Sequence, residues 1–173
     1  MKKIGFFGVT ANPPHKGHLQ VVEKALTQID EVWISPVYQH PFGKKMIDYE
    51  KRLYMLQLLF QNIPRIRILE VDKEYYQQFH QMPYSYDLLQ YLQKKYHISP
   101  KLIIGEDNYQ PAIWNQFYRH LDIEKDFGIL VVHDEGTHST KIRHLYQQNQ
   151  DIDIYCGENI ANYLKNNKIL FEV

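Results

Sequence analysis

Two histidines, His15 and His18, are the residues of this chain best placed to do chemistry; they sit three positions apart in Pro14-His15-Lys16-Gly17-His18. That spacing puts both imidazoles on one face of a helix, and the pair follows an apolar run, Ile4 to Val9, closed by a turn. The first turn of a helix leaves amide donors unpaired and carries a partial positive charge, so it attracts phosphate. His15, Lys16 and His18 would add donors, Gly17 would let a ligand approach the backbone, and Pro13-Pro14 would stiffen the entry. Taken alone, the pair reads more readily as solvated or metal-binding side chains. Zinc would need further ligands, and no Cys pair or His-Glu-x-x-His sequence supplies them.

A second group stands far along the chain, at Thr137-His138-Ser139-Thr140-Lys141-Ile142-Arg143. Ser139 is a sensible N-cap with Arg143 about one turn further on, so free amides, a hydroxyl and a guanidinium would address one polyphosphate tail. In isolation this is an ordinary capped helix. Between the two groups, His40-Pro41-Phe42-Gly43-Lys44-Lys45 forms a cationic loop, read equally as a solvated lysine pair. Arg52, in the helix that follows, either reaches a phosphate or covers the helix surface.

The elements that must position these groups follow from hydropathy. Short apolar runs alternate with longer amphipathic segments, the pattern of a parallel sheet flanked by helices. The expected fold is α/β, a doubly wound Rossmann-like parallel sheet of about five to six strands with helices on both faces. Strands are expected at Ile4–Val9, Glu31–Val37, Ile66–Val71, Lys101–Gly105, Phe127–Val132 and, briefly, Asp153–Tyr155. Helices are expected at His15–Ile29, Asp48–Phe60, Ser85–Tyr96, from Ser139, and over Asn159–Lys165, with a long polar and aromatic loop before Pro83. In such a sheet ligands sit outside the carboxyl ends of the strands, which directs attention to the turn after Val9.

At 173 residues and 44 % hydrophobic content the chain is one domain's worth, 1–173. Lys plus Arg and Asp plus Glu each number 20, so nothing global suggests nucleic acid as a partner, and any phosphate chemistry must be local. The single Cys156 has no intramolecular partner and fits a reducing compartment. The apolar N-terminal run is cut short by Asn12-Pro13-Pro14, and no stretch reaches the roughly 20 apolar residues of a membrane span. A cytoplasmic protein is expected, with oligomeric state left open.

Strand, glycine turn, His-x-Gly-His and helix together resemble the signature of the nucleotidylyltransferase superfamily. Gly5-Phe6-Phe7-Gly8-Val9-Thr10-Ala11-Asn12-Pro13-Pro14-His15-Lys16-Gly17-His18-Leu19 looks especially like the opening of the nicotinate and nicotinamide mononucleotide adenylyltransferases. The late group resembles their Ser-Thr-x-x-Arg motif, and two matches in the required order outweigh each alone. Ser85 in Met82-Pro83-Tyr84-Ser85-Tyr86-Asp87, Asp107 in Ile104-Gly105-Glu106-Asp107, and Trp114 resemble acceptor segments; Glu158 to Leu164 and Lys168 to Leu170 resemble the closing segment. Val9, Ala11 and His138 depart from the family pattern, which often has glycine, an aromatic and serine there.

The resemblance implies adenylyl transfer from ATP to a pyridine mononucleotide, with His18 supporting the α-phosphate under attack, His15 on the phosphates and Arg143 on the β- and γ-phosphates. A loop lysine, Lys44 or its neighbour Lys45, would neutralise charge near the reacting groups. The expected ATP set is Gly8, Val9, Thr10, His15, Gly17, His18, Ser139, Thr140 and Arg143. The expected acceptor set is Asn12, Lys44, Arg52, Ser85, Asp107 and Trp114, with an indole stacked on the ring, a carboxylate on ribose hydroxyls and Ser85 on the ring substituent. Trp114 as core filler is the bland rival. Mg²⁺ would come bound mainly through substrate phosphates, with no all-protein metal site. Rival readings are a related transferase with another acceptor, such as phosphopantetheine, a cytidylyltransferase, or a non-catalytic nucleotide-binding regulator.

Overall fold

The computed structural model describes residues 1–136 and 138–171. Five strands, β1 (Ile4–Val9), β2 (Glu31–Pro36), β3 (Ile66–Ile68), β4 (Lys101–Gly105) and β5 (Ile129–Val132), form one sheet in the order β3-β2-β1-β4-β5. All pair in parallel; Gly5 of β1 faces Val32 of β2 on one side and Lys101 of β4 on the other. Parallel strands need crossovers, and these supply α1 (Lys16–Ala25), α2 (Tyr49–Phe60), α3 (Val71–Phe79), α4 (Ser85–Tyr96), α5 (Pro111–Trp114) and α6 (His120–Asp126). The chain then adds α7 (Ser139–Gln147), α8 (Asp153–Cys156) and α9 (Glu158–Asn166).

Strand alternation divides the core into two layers. Phe7, Val9, Val32, Ile34 and Ile103 pack with Val21, Val22 and Ala25 of α1 and Leu56 and Phe60 of α2. Their neighbours Phe6, Trp33, Leu102 and Ile104 face the opposite way, onto Leu88, Leu89 and Leu92 of α4 and Ile123 of α6. Both faces are therefore covered, as continuous apolar strands require. A third cluster, with Met55, Ile142, Ile152, Cys156, Ile160 and Leu164, fastens α7, α8 and α9 to α2. A Cβ on Gly5 would lie 2.5 Å from Ile103 Cδ1, so the absence of a side chain there permits this packing over β1.

The expected doubly wound sheet is present, with two local corrections. The short sixth strand at Asp153–Tyr155 is the helix α8: Asp151 Oδ1 accepts from Asp153 N at 2.8 Å, a side-chain turn that starts a helix and competes with extension. Much of the expected loop before Pro83 is the helix α3, which takes over at Val71 where the expected third strand ends. None of the helices among the described residues is long and apolar enough to cross a membrane.

Candidate active site

The order β3-β2-β1-β4-β5 has its switch point between β1 and β4, where connections leave in opposite directions and open a crevice at the carboxyl ends. A cleft of about 1330 Å³ occupies that position. Its walls come from the end of β1 (Gly8 to Asn12), the start of α1 (His15, Gly17, His18) and the loop after β2 (His40, Lys44 to Asp48). Gly105, Asp107 and Asn108 after β4, Asp134 after β5, His138 to Thr140 with Arg143, and the tail from Asn167 to Phe171 complete them.

The two imidazoles are held by the backbone they begin. His15, 5 % exposed, is the N-cap of α1, and its Nδ1 accepts from Gly17 N at 3.0 Å. His18 reaches back so that its Nδ1 accepts from His15 N at 3.1 Å, and the rings stack with centroids 3.8 Å apart. Burial pulls the His15 pKa down to about 4, against the raising field of the Asp134 carboxylate and with a smaller lowering from His138. Burial, helped by His15, also holds His18 well below the ordinary imidazole value. Both rings are neutral near pH 7, and with Nδ1 accepting, each carries its proton on Nε2. Gly17 lines the cleft, but its amide is committed to His15 Nδ1, so the Nε2–H groups of the two rings are the side-chain donors at this helix start.

At the other helix start the roles shift by one residue. His138, not Ser139, is the N-cap of α7, and its side chain makes no capping hydrogen bond. Ser139 Oγ instead donates to the carbonyl of Pro13 at 2.9 Å, and Arg143 Nη1 donates to that of Asn12 at 2.8 Å. These two contacts fasten α7 to the turn that leads into α1. Arg143 Nη2 also reaches Thr140 Oγ1 at 3.1 Å, and burial lowers its pKa without removing its charge. Thr137 lies outside the described residues.

Gly8, Val9, Thr10, His15, Gly17, His18, Ser139, Thr140 and Arg143 thus line one cleft, together with Asn12, Lys44, Lys45 and Asp107. Three expected acceptor residues stand elsewhere. Arg52 is fully buried in α2, with its donors on four backbone carbonyls, so neither a phosphate contact nor surface cover describes it. Trp114, 4 % exposed, packs against Phe117 with centroids 5.0 Å apart, and its Nε1 donates to Glu124 at 2.6 Å; it fills the core. Ser85 opens onto a separate recess of about 420 Å³ shared with Phe117 and Tyr118. Asp134, His138, Lys51 and Lys168 also line the cleft and went unpredicted. The position of Asp134 just past the carboxyl end of β5 is a usable signal, since ligands in such sheets sit outside the carboxyl ends of the strands; Lys51 and Lys168 carry none.

A doubly wound sheet with paired imidazoles and a guanidinium on two converging helix starts at its switch point is the architecture of a nucleotidyltransferase. The chain belongs to the cytidylyltransferase-like family, whose model matches residues 6–151. The nicotinate-nucleotide adenylyltransferase of Bacillus subtilis (strain 168) is 27 % identical over 191 residues, covering 96 % of this chain and 97 % of that protein. A protein of Hydrogenobaculum sp. (strain Y04AAS1), named as a probable nicotinate-nucleotide adenylyltransferase, is 32 % identical over 160 residues, covering 89 % of this chain and 77 % of its own. A solved structure from Vibrio parahaemolyticus, assigned as a nicotinate-nucleotide adenylyltransferase, superposes with a TM-score of 0.80 at 25 % identity, covering 96 % of this chain and 93 % of the other.

Proposed function

We propose that this chain, acting as one nucleotidyltransferase domain over residues 1–173, transfers the adenylyl group of ATP to nicotinate mononucleotide, releasing pyrophosphate and forming the dinucleotide of NAD biosynthesis. The observation that carries the reading is the fastening of Arg143 and Ser139 to the carbonyls of Asn12 and Pro13, which brings the two distant helix starts to one cleft. The names of the relatives supply the acceptor.

In the step we propose, an oxygen of the acceptor's 5′-phosphate attacks the α-phosphorus of ATP in line. The new P–O bond forms as the bond to the bridging oxygen of the β-phosphate breaks, and the electron pair leaves with pyrophosphate. The attacking group is already an anion, so no general base is needed. The protein's part is positioning and electrostatic stabilisation. Neutral His15 and His18 offer Nε2–H donors; low ring pKa values keep them as hydrogen-bond donors rather than acids. Arg143 supplies a fixed cation on the β- and γ-phosphates, the uncapped first turn of α7 supplies amides, and Lys44 or Lys45, on the loop after β2 that lines the same cleft, adds a further cation.

Among the described residues no group of three or more His, Cys, Asp or Glu side chains is arranged to hold an ion. The cleft does present Asp107 and Asp134 beside its cations, a donor set suited to a divalent ion that arrives on the polyphosphate and keeps part of its water shell. Mg²⁺ in that position would screen the charge on the phosphate oxygens. The reaction belongs in the cytoplasm, a location that agrees with a lone, buried Cys156.

The test is pyrophosphate release from the purified protein with ATP and Mg²⁺ and, separately, nicotinate mononucleotide, nicotinamide mononucleotide or phosphopantetheine. Release with nicotinate mononucleotide is expected to exceed the others. Release with phosphopantetheine alone, or with none, defeats the reading; the last result would favour a nucleotide-binding regulator.

A further inference from the structure

Arg52 has no exposed surface, yet it carries a full charge. Burial lowers its pKa to about 10, which still leaves it cationic near neutral pH. Four donors are engaged: Nε on Ile47 O at 2.8 Å, Nη1 on Thr10 O at 2.8 Å and on Val37 O at 2.7 Å, and Nη2 on Tyr38 O at 3.2 Å. Those carbonyls belong to three separate stretches of backbone. Thr10 is in the turn after β1, Val37 and Tyr38 open the loop after β2, and Ile47 closes it.

Neighbouring bonds tie the same points together. Val37 N donates to Val9 O at 2.8 Å, Tyr38 N to Asp72 Oδ1 at 2.8 Å, and Ile47 N to Asn12 Oδ1 at 2.9 Å. Asn12 in turn offers its carbonyl to Arg143. The segment enclosed between Tyr38 and Ile47 brings His40, Lys44 and Lys45 to the wall of the cleft. Burying a guanidinium is unfavourable unless its donors are satisfied, and a hydrophobic residue would fill the space with less penalty. What a hydrophobic residue cannot do is hold carbonyls from three segments in one plane, and an ammonium lacks the fork for it.

We propose that Arg52 is a positioning residue of the transfer reaction: it clamps both ends of the lysine-bearing loop to the turn after β1, and so sets where Lys44 and Lys45 stand over the phosphates. This rests on the function proposed above, and Arg52 itself touches no substrate.

Hydrogen–deuterium exchange of the free protein reads the clamp without substrate. In Arg52→Lys, amides of residues 38–47 are expected to exchange about tenfold faster or more, while those of β4 and β5 stay as in the wild type. Unchanged exchange across 38–47 overturns the proposal. In steady-state kinetics the folded variant is expected to lose kcat by on the order of 10²-fold, with a smaller change in KM for ATP. In a Lys44→Ala/Lys45→Ala background the same substitution is expected to change kcat by no more than about twofold. An equal loss in both backgrounds means that Arg52 does not act through the loop, and overturns the proposal. Should Arg52→Lys fail to fold, Arg52→Gln, whose amide has two N–H donors for the four carbonyls that Arg52 holds, takes its place in both measurements with the same expectations. A wild type that releases no pyrophosphate defeats the functional reading, and the exchange result still decides the clamp.

Discussion

Replacing His15 by asparagine separates the two jobs the structure gives that ring. One is capping: Nδ1 accepts from Gly17 N at 3.0 Å, and an asparagine side chain is among the best N-cap acceptors. The other is to be neutral while buried. The folded pKa is about 4 against an ordinary 6.5, and each pH unit of that gap is worth about 1.4 kcal/mol. Between pH 6.5 and 4 the unfolded chain binds a proton that the folded ring refuses, so stability rises with pH across this window. The contribution is complete above pH 6.5, falls as the solution is acidified toward 4, and is flat below. Up to about 3 kcal/mol is at stake over the whole range, and about 2 kcal/mol of it has gone by pH 5. His15→Asn keeps the cap and deletes the titration. Urea unfolding of the wild type and the variant at pH 7.5 and pH 5 compares the two directly, because the other histidines of the chain are common to both. The variant also removes the lowering that His15 exerts on His18, which changes the result in the same direction. The expected outcome is a loss of stability on acidification that is smaller in the variant by about 2 kcal/mol. Equal losses would refute the assignment of His15 as a buried neutral ring, and with it the placement of the proton on Nε2.

Removing the second imidazole with His18→Ala should lower kcat by about 10²- to 10³-fold, as deletion of a transition-state donor does; normal turnover by a folded variant would refute its role on the α-phosphate. Arg143→Ala is expected to raise KM for ATP about 10- to 100-fold, from the loss of a charge-assisted contact, and an unchanged KM would remove it from the phosphate site. Trp114→Ala should destabilise the protein by about 3 to 5 kcal/mol in urea unfolding, the range for emptying a large aromatic site; a loss under 1 kcal/mol would contradict its burial. EDTA should stop pyrophosphate release and excess Mg²⁺ restore it, while the melting temperature without nucleotide stays the same. A melting shift on chelation would reveal an ion held by the protein itself.

How far the sequence speaks for itself differs from element to element. β1, β4 and α4 stand where their hydropathy patterns put them, because a buried parallel strand has to be a continuous apolar run and Asp87 has a local partner in Tyr84 N at 2.9 Å. The stretch after Ile68 carries a weaker pattern. The segment Val71–Phe79 is rich in Tyr, Gln and acidic residues, so its helical period shows weakly until Val71 is seen buried against the sheet. The site divides in the same way. His15 and His18 span four positions of chain, so a helix start brings them together locally, and the capping bonds of the two rings fix the stack. Arg52 and Trp114 read as site residues because their types suit phosphates and rings, and only packing shows that one is enclosed by carbonyls and the other by aromatics.

By itself, then, the sequence determined what is local: an apolar strand, a turn, a helix opened by two imidazoles, and a second helix start bearing an arginine one turn in. The tertiary structure decided what depends on contacts between distant segments. Ser139 and Arg143 lie 126 and 131 residues from the carbonyls they hold, and no periodicity in the chain encodes that meeting. It arises because β1 and β4 part the crossovers at the switch point, and hydrophobic burial under α7 and α9 brings the late helix down onto the same edge.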